Sequence, residues 1–142
     1  MSELFGADIN YLAVILGALA VQFLGFLWYG SLLRDPWIAA RGIDISDTEG
    51  SDTGPAMYLV PLACSLVIAY TLARLADMTG AGDIGECVAL AAFVWVGFSG
   101  TVQLTQINFS EAKVKRLPTF VIEGGYQLAS FLIIGALVGA FQ

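Results

Sequence analysis

Four long stretches of this chain carry almost no charge. Residues 9–33, 56–73 and 87–110 contain no Asp, Glu, Lys or Arg, and 117–142 contain one, Glu123. About 20 helical residues at ~1.5 Å each cross a bilayer core of ~30 Å, so stretches of this size are membrane spans. Backbone polar groups in lipid must be satisfied within their own segment, which makes each span a helix. A soluble domain is excluded on the same grounds: 13% of the residues are charged and 58% hydrophobic, where about 25% charged is ordinary. The expected fold is all-α, a single transmembrane domain over 1–142 built as an antiparallel four-helix bundle with short hairpin turns.

The expected spans are about 9–33, 56–76, 84–108 and 117–141. The first is read as a retained helix and not a signal peptide, because acidic residues precede it (Glu3, Asp8) and its apolar stretch is too long. Asp8 or Asn10 caps it. Pro55 suits an opening turn, Pro61 kinks the second span, and Pro118 sits harmlessly in the first turn of the fourth. Gly80-Ala81-Gly82-Asp83 reads as a hairpin turn. Arg34, Arg41, Lys113, Lys115 and Arg116 lie in the first and third connections, while the other side holds only Arg74. That asymmetry places loop 34–55 in the cytoplasm and both termini outside, in a multi-pass protein of the cell membrane. Within the loop, Trp37 and Ile38 anchor a short amphipathic segment at the interface and the rest is solvated. Twelve acidic residues against six basic, with a pI near 4.2, suit a cytoplasm of very high salt and point to a halophilic archaeal source.

Composition removes several chemistries. The chain has no histidine and two cysteines, Cys64 and Cys87, with no CxxC pair. No structural zinc site, haem ligation or histidine base is expected, and therefore no metal and no cofactor. The two cysteines lie at different depths, too far apart to join. The excess of acid argues against nucleic acid. No catalytic constellation is present, so no enzyme is expected.

Glu123 stands out, because an ionisable group inside a span is costly and marks a function or a pairing. It lies about 9 Å from the nearer end of the fourth span at ~1.5 Å per residue. Gln127 and Ser130 follow on its face and Tyr126 borders it. Ser99, Gln103 and Gln106 repeat at helical spacing in the third span, and Gln22 and Tyr29 share a face of the first. These residues are expected to converge on one polar cavity or to bond helix to helix; the sequence leaves both open. Arg74 and Glu86 are read as helix termini that complement their dipoles and reach water, with an ion pair between them as an option. Gly135 and Gly139 form a GxxxG step, and Ala13 and Gly17 repeat the small-residue spacing, for close contact within the subunit or between subunits.

Asn10-Tyr11-Leu12-Ala13-Val14, Gly25-Phe26-Leu27-Trp28-Tyr29 with Trp37 after it, Asn108-Phe109 and Gly125-Tyr126-Gln127 together resemble the DUF1761 family of small four-span prokaryotic membrane proteins. The resemblance covers essentially the whole chain, and the Trp28-Tyr29 pair is its most specific part. It implies the four-helix architecture and supplies no activity. Family members often carry histidine where this chain has Gln127, which weakens a proton relay at that position.

The expected function is that of a small homo-oligomeric membrane protein, channel- or transporter-like, which binds or passes a small polar solute or ion. The alternative is a non-enzymatic scaffold, lipid-binding or accessory subunit of a larger membrane complex. The orientation is directly testable. A cysteine placed at position 2 or 142 should react with an impermeant reagent on intact cells, and one at position 48 should not; labelling at 48 overturns the assignment.

Overall fold

A computed structural model describes residues 8–44 and 54–142. All regular structure among them is helical. The first span, Tyr11–Leu32, is a helix α1 (Tyr11–Leu27) that passes into a π-helical turn, Trp28–Leu32. A short helix α2 (Arg34–Arg41) follows. The second span is α3 (Ala56–Thr79). The third span, Ile84–Asn108, runs from α4 (Ile84–Val94) through a π segment, Trp95–Gly100, into α5 (Thr101–Asn108). The fourth is α6 (Arg116–Ala140). The four-helix transmembrane bundle is therefore present, with two differences from expectation. The second span runs one turn further, through Asp77 to Thr79, and the short segment expected around Trp37 and Ile38 is a regular helix, α2, of eight residues. Residues 45–53 of that loop, and Glu3 at the N-terminus, lie outside the described residues.

Local chemistry sets the boundaries. Asn10, not Asp8, caps α1, its carboxamide oxygen accepting from the amides of Leu12 at 3.1 Å and Ala13 at 3.4 Å. Gly80, at φ +74°, ends α3 with the Ala81 amide reaching back to the Ala76 carbonyl. Gly42, at φ +65°, does the same for α2 through the Ile43 amide and the Ile38 carbonyl. Both glycines occupy the left-handed conformation that a Schellman ending requires. At the hairpin, Asp83 accepts from the Glu86 amide, and Glu86 accepts in return from the Gly82 amide. Glu86 is thus a cap. Arg74 is buried and bonds Asp77 at 3.1 Å, so it is not the expected water-facing terminus; its ion-pair partner is Asp77, in the extra turn of α3, and not Glu86, the option left open.

The bundle is asymmetric. The fourth span packs against all three others, whereas the third packs almost solely on the fourth. Burial follows: 39% of the most apolar window of the fourth span is buried, against 17% for the third. The apolar core, with Val14, Val21, Leu72, Phe131, Ile134 and Val138 in it, fills the end of the bundle where Asn10 bonds the Phe141 carbonyl. Outward-facing Phe93 and Phe98 are 76% and 71% exposed, an apolar belt that suits lipid and would be a liability in water. The cysteines are free, Cys87 buried and Cys64 exposed.

Both small-residue steps lie inside the subunit. Ala13 is buried, and a Cβ on Gly17 would meet Ile134 at 3.4 Å and Ala69 at 3.7 Å. A Cβ on Gly135 would come within 2.7 Å of the Cys87 carbonyl, and one on Gly139 within 2.6 Å of Ile84 Cα. The third and fourth spans therefore touch backbone to backbone, which only glycine permits. In most helices Gly→Ala gains about 1 kcal/mol of propensity. Here Gly135→Ala and Gly139→Ala should each lower the melting temperature in mild detergent, while Gly97→Ala, whose Cβ meets nothing within 4 Å, should not. Equal melting for all three would contradict the contact.

Candidate functional site

The site is assembled at the α2 end of the bundle, where the core gives way to polar groups. α2 turns back beneath the spans, and its last turn is tied to the start of α6 by the Lys115 amide bonding the Ala40 carbonyl at 2.8 Å. Trp37 and Arg41 are one helical turn apart and share a face of α2. That face points at Glu123. The Arg41 guanidinium donates from Nε to Oε1 and from Nη2 to Oε2 of Glu123, each at 2.6 Å, and the Trp37 indole donates to Oε1 at 3.0 Å. The carboxylate is 9% exposed and holds a forked, charge-assisted pair, the strong form of this contact. The hydrogen bond to Glu123 holds Arg41 above the usual arginine value, against the opposing effect of burial, so the guanidinium stays charged.

Aromatic side chains build the walls. Tyr29 packs edge-on against both Trp37 and Tyr126, with ring centres 5.2 Å apart in each pair. The Tyr126 hydroxyl donates to the Val21 carbonyl, and Trp28 donates to the Ile122 carbonyl at 2.9 Å, locking the first span to the fourth. Gly25 makes this approach possible, since a Cβ there would sit 3.0 Å from the Tyr126 hydroxyl. On the other side Gln22 donates to the Tyr58 carbonyl, one turn before Pro61. Between these elements lies a cleft of about 510 Å³ lined by Gln22, Phe26, Tyr29, Trp37, Tyr58, Glu123 and Tyr126, among others. Its rim residues Phe26, Met57 and Tyr58 are exposed and belong to the first and second spans, between which the cleft opens.

The expected single polar cavity divides in two. Glu123, Tyr126, Gln22 and Tyr29 meet at the cleft; Gln127, Gln103 and Gln106 do not line it. A helix turns about 100° per residue. Relative to Glu123, Tyr126 therefore lies about 60° to one side, toward the first span, and Gln127 about 40° to the other. The Gln103 carboxamide oxygen reaches to 3.5 Å from the Cβ position of Gly124, inside the contact of third and fourth spans. Buried there or beside it, the carboxamide oxygens of Gln103 and Gln127, the Thr119 hydroxyl and the Trp95 indole nitrogen have no hydrogen-bond partner among the described residues. Gln106 is exposed beside Thr101 and Thr105. Ser130 bonds its own helix at the Tyr126 carbonyl.

Sequence reasoning missed Arg41 and underrated Trp37, the two side chains that complete the site. Arg41 served there only as a marker of orientation. The usable signal was Trp37 and Arg41 four apart, bounded by Pro36 and Gly42, which together describe a one-faced short helix.

No curated protein and no solved structure matches this chain. The family described as "Protein of unknown function (DUF1761)" matches residues 12–139, which takes in all four spans but for their outermost residues Tyr11 and Ala140, together with α2 and the whole Glu123 site, and the chain belongs to that family.

Proposed function

We propose that this protein is non-enzymatic and takes a small solute into the Glu123 cleft, channel- or transporter-like, as a homo-oligomer in the cell membrane with both termini outside. The observation that supports this reading best is the cleft itself: an aromatic, largely apolar recess in the membrane-spanning part that ends on a buried ion pair. Ligand sites are characteristically concave and apolar with a few convergent polar groups, at volumes of about 300–1,000 Å³. Four spans give little room for a private pathway, so passage across the bilayer would use a route shared with further copies. The small-residue steps at Ala13, Gly17, Gly135 and Gly139 are spent inside the subunit, which supports the solute reading over a scaffold with a flat exposed docking face. The outer face of the third span is then the surface left for self-association.

A ligand that binds only the folded state raises its stability, by about 2.7 kcal/mol at 100 times Kd. A panel of small cationic, neutral and anionic solutes should therefore contain members that raise the melting temperature of the purified protein. Gly30 lines the cleft and has nothing within 4 Å of its Cβ position. Gly30→Phe should leave the fold intact and abolish those shifts by filling the recess. Shifts that survive Gly30→Phe would place binding elsewhere and remove the cleft from the account.

A further inference from the structure

We infer that the Glu123 cleft is a site for a small organic cation of the guanidinium class, and that Arg41 is the tethered counter-cation that holds its carboxylate in the resting state; the inference rests on the cleft being the solute site. Three observations carry it. The first is the partner already present. Both Glu123 oxygens are taken by one planar guanidinium at 2.6 Å, the fork-on-fork geometry that a free guanidinium would reproduce. The second is the wall chemistry. Phe26, Tyr29, Trp37, Tyr58 and Tyr126 line the recess, and aromatic faces attract cations, most of all where water is scarce. No Lys or Arg is among the lining residues, so once the Arg41 side chain has turned away no basic side chain in the recess repels a cation.

The third observation is charge balance. Glu123 is buried, and a buried carboxylate must stay neutralised. A monovalent cation replaces the guanidinium one for one and leaves that balance unchanged. An anion or a neutral solute could displace Arg41 only if the carboxylate also took up a proton. The Arg41 side chain is one-third exposed, while its backbone is held by the Gly42 ending of α2 and the Lys115–Ala40 bond. Exchange therefore needs rotation of one side chain into water and no movement of α2.

Chemical rescue tests this. Wild type, Arg41→Ala, Arg41→Lys and Arg41→Ala/Glu123→Gln are purified in maltoside, which brings no cationic headgroup. Each is melted against guanidinium, methylguanidinium and phenylguanidinium chlorides at low millimolar concentration and constant total chloride. Arg41→Ala should melt lower than wild type and recover saturably, with phenylguanidinium binding at least tenfold tighter than guanidinium because its ring meets the aromatic wall. Arg41→Lys keeps the charge but loses the fork, so it should bind these cations more tightly than wild type does; it serves if Arg41→Ala does not fold. The double variant should not respond. Absence of rescue in both single variants, or an equal response in the double variant, overturns the inference. A response to phosphatidylethanolamine in mixed micelles but to no soluble guanidine assigns the same chemistry to a lipid amine and also overturns it. If guanidines do nothing while an uncharged or anionic solute gives a shift that Gly30→Phe removes, the cation class falls and the cleft reading stands.

Discussion

A buried carboxylate held by a single guanidinium is the constraint on which the rest of this structure turns. Moving a charged side chain into a span costs roughly 2.5–3.5 kcal/mol on insertion scales, so Glu123 cannot stand alone. Its neutralising partner comes from outside the spans, on α2, and this dictates that α2 fold back under the bundle. The Trp37 indole adds a third hydrogen bond to the same carboxylate, and Tyr29 packs edge-on against Trp37. The pair thus acts with the Lys115–Ala40 bond to hold a helix that membrane burial alone would leave free. Ion pairs of this kind add little net stability compared with apolar residues of the same size.

The fourth span makes the site possible by being the hub. It meets the first span along Tyr126 and Gly125 and the third along Gly124, Gly135 and Gly139. Glu123 lies on the border between those two faces, at the cleft. The two π segments both open with a tryptophan and both flank this region: Trp28 bonds the Ile122 carbonyl, and Trp95 packs near Phe120 with ring centres 6.5 Å apart. A π turn adds a residue to one helical turn and so re-aims the side chains that follow it. In the first span it brings Trp28 and Tyr29 together onto α6.

The spans were legible because their signal is the absence of charge over a bilayer's thickness, and that signal is local. The four helices, the Asn10 cap, the Pro118 first turn and the Gly80–Asp83 hairpin all followed from residues close in sequence. Glu123 was legible for the same reason, as the single charge in a long apolar run. Its partner was not. Arg41 and Glu123 are 82 residues apart, and only the packing of α2 beneath the bundle joins them. Arg74 was read as a water-facing terminus because the second span was ended at 76; the helix runs one turn further, and Arg74 is buried and paired with Asp77 within it. The split of the polar stripe depended on which neighbour lay on each side of α6, a fact of tertiary arrangement that helical spacing does not contain.

The most direct test of the central claim is a double-mutant cycle at positions 41 and 123, read as unfolding free energy in detergent. Arg41→Leu strands a buried carboxylate and should cost about 3–5 kcal/mol. Glu123→Leu should cost less, because the released guanidinium is already one-third exposed and can turn to water. If the pair is what places α2, the double variant will be more stable than Arg41→Leu alone, with a coupling of at least about 1 kcal/mol between the sites. Additive losses would mean that Glu123 and Arg41 act independently, and would contradict the account at its base.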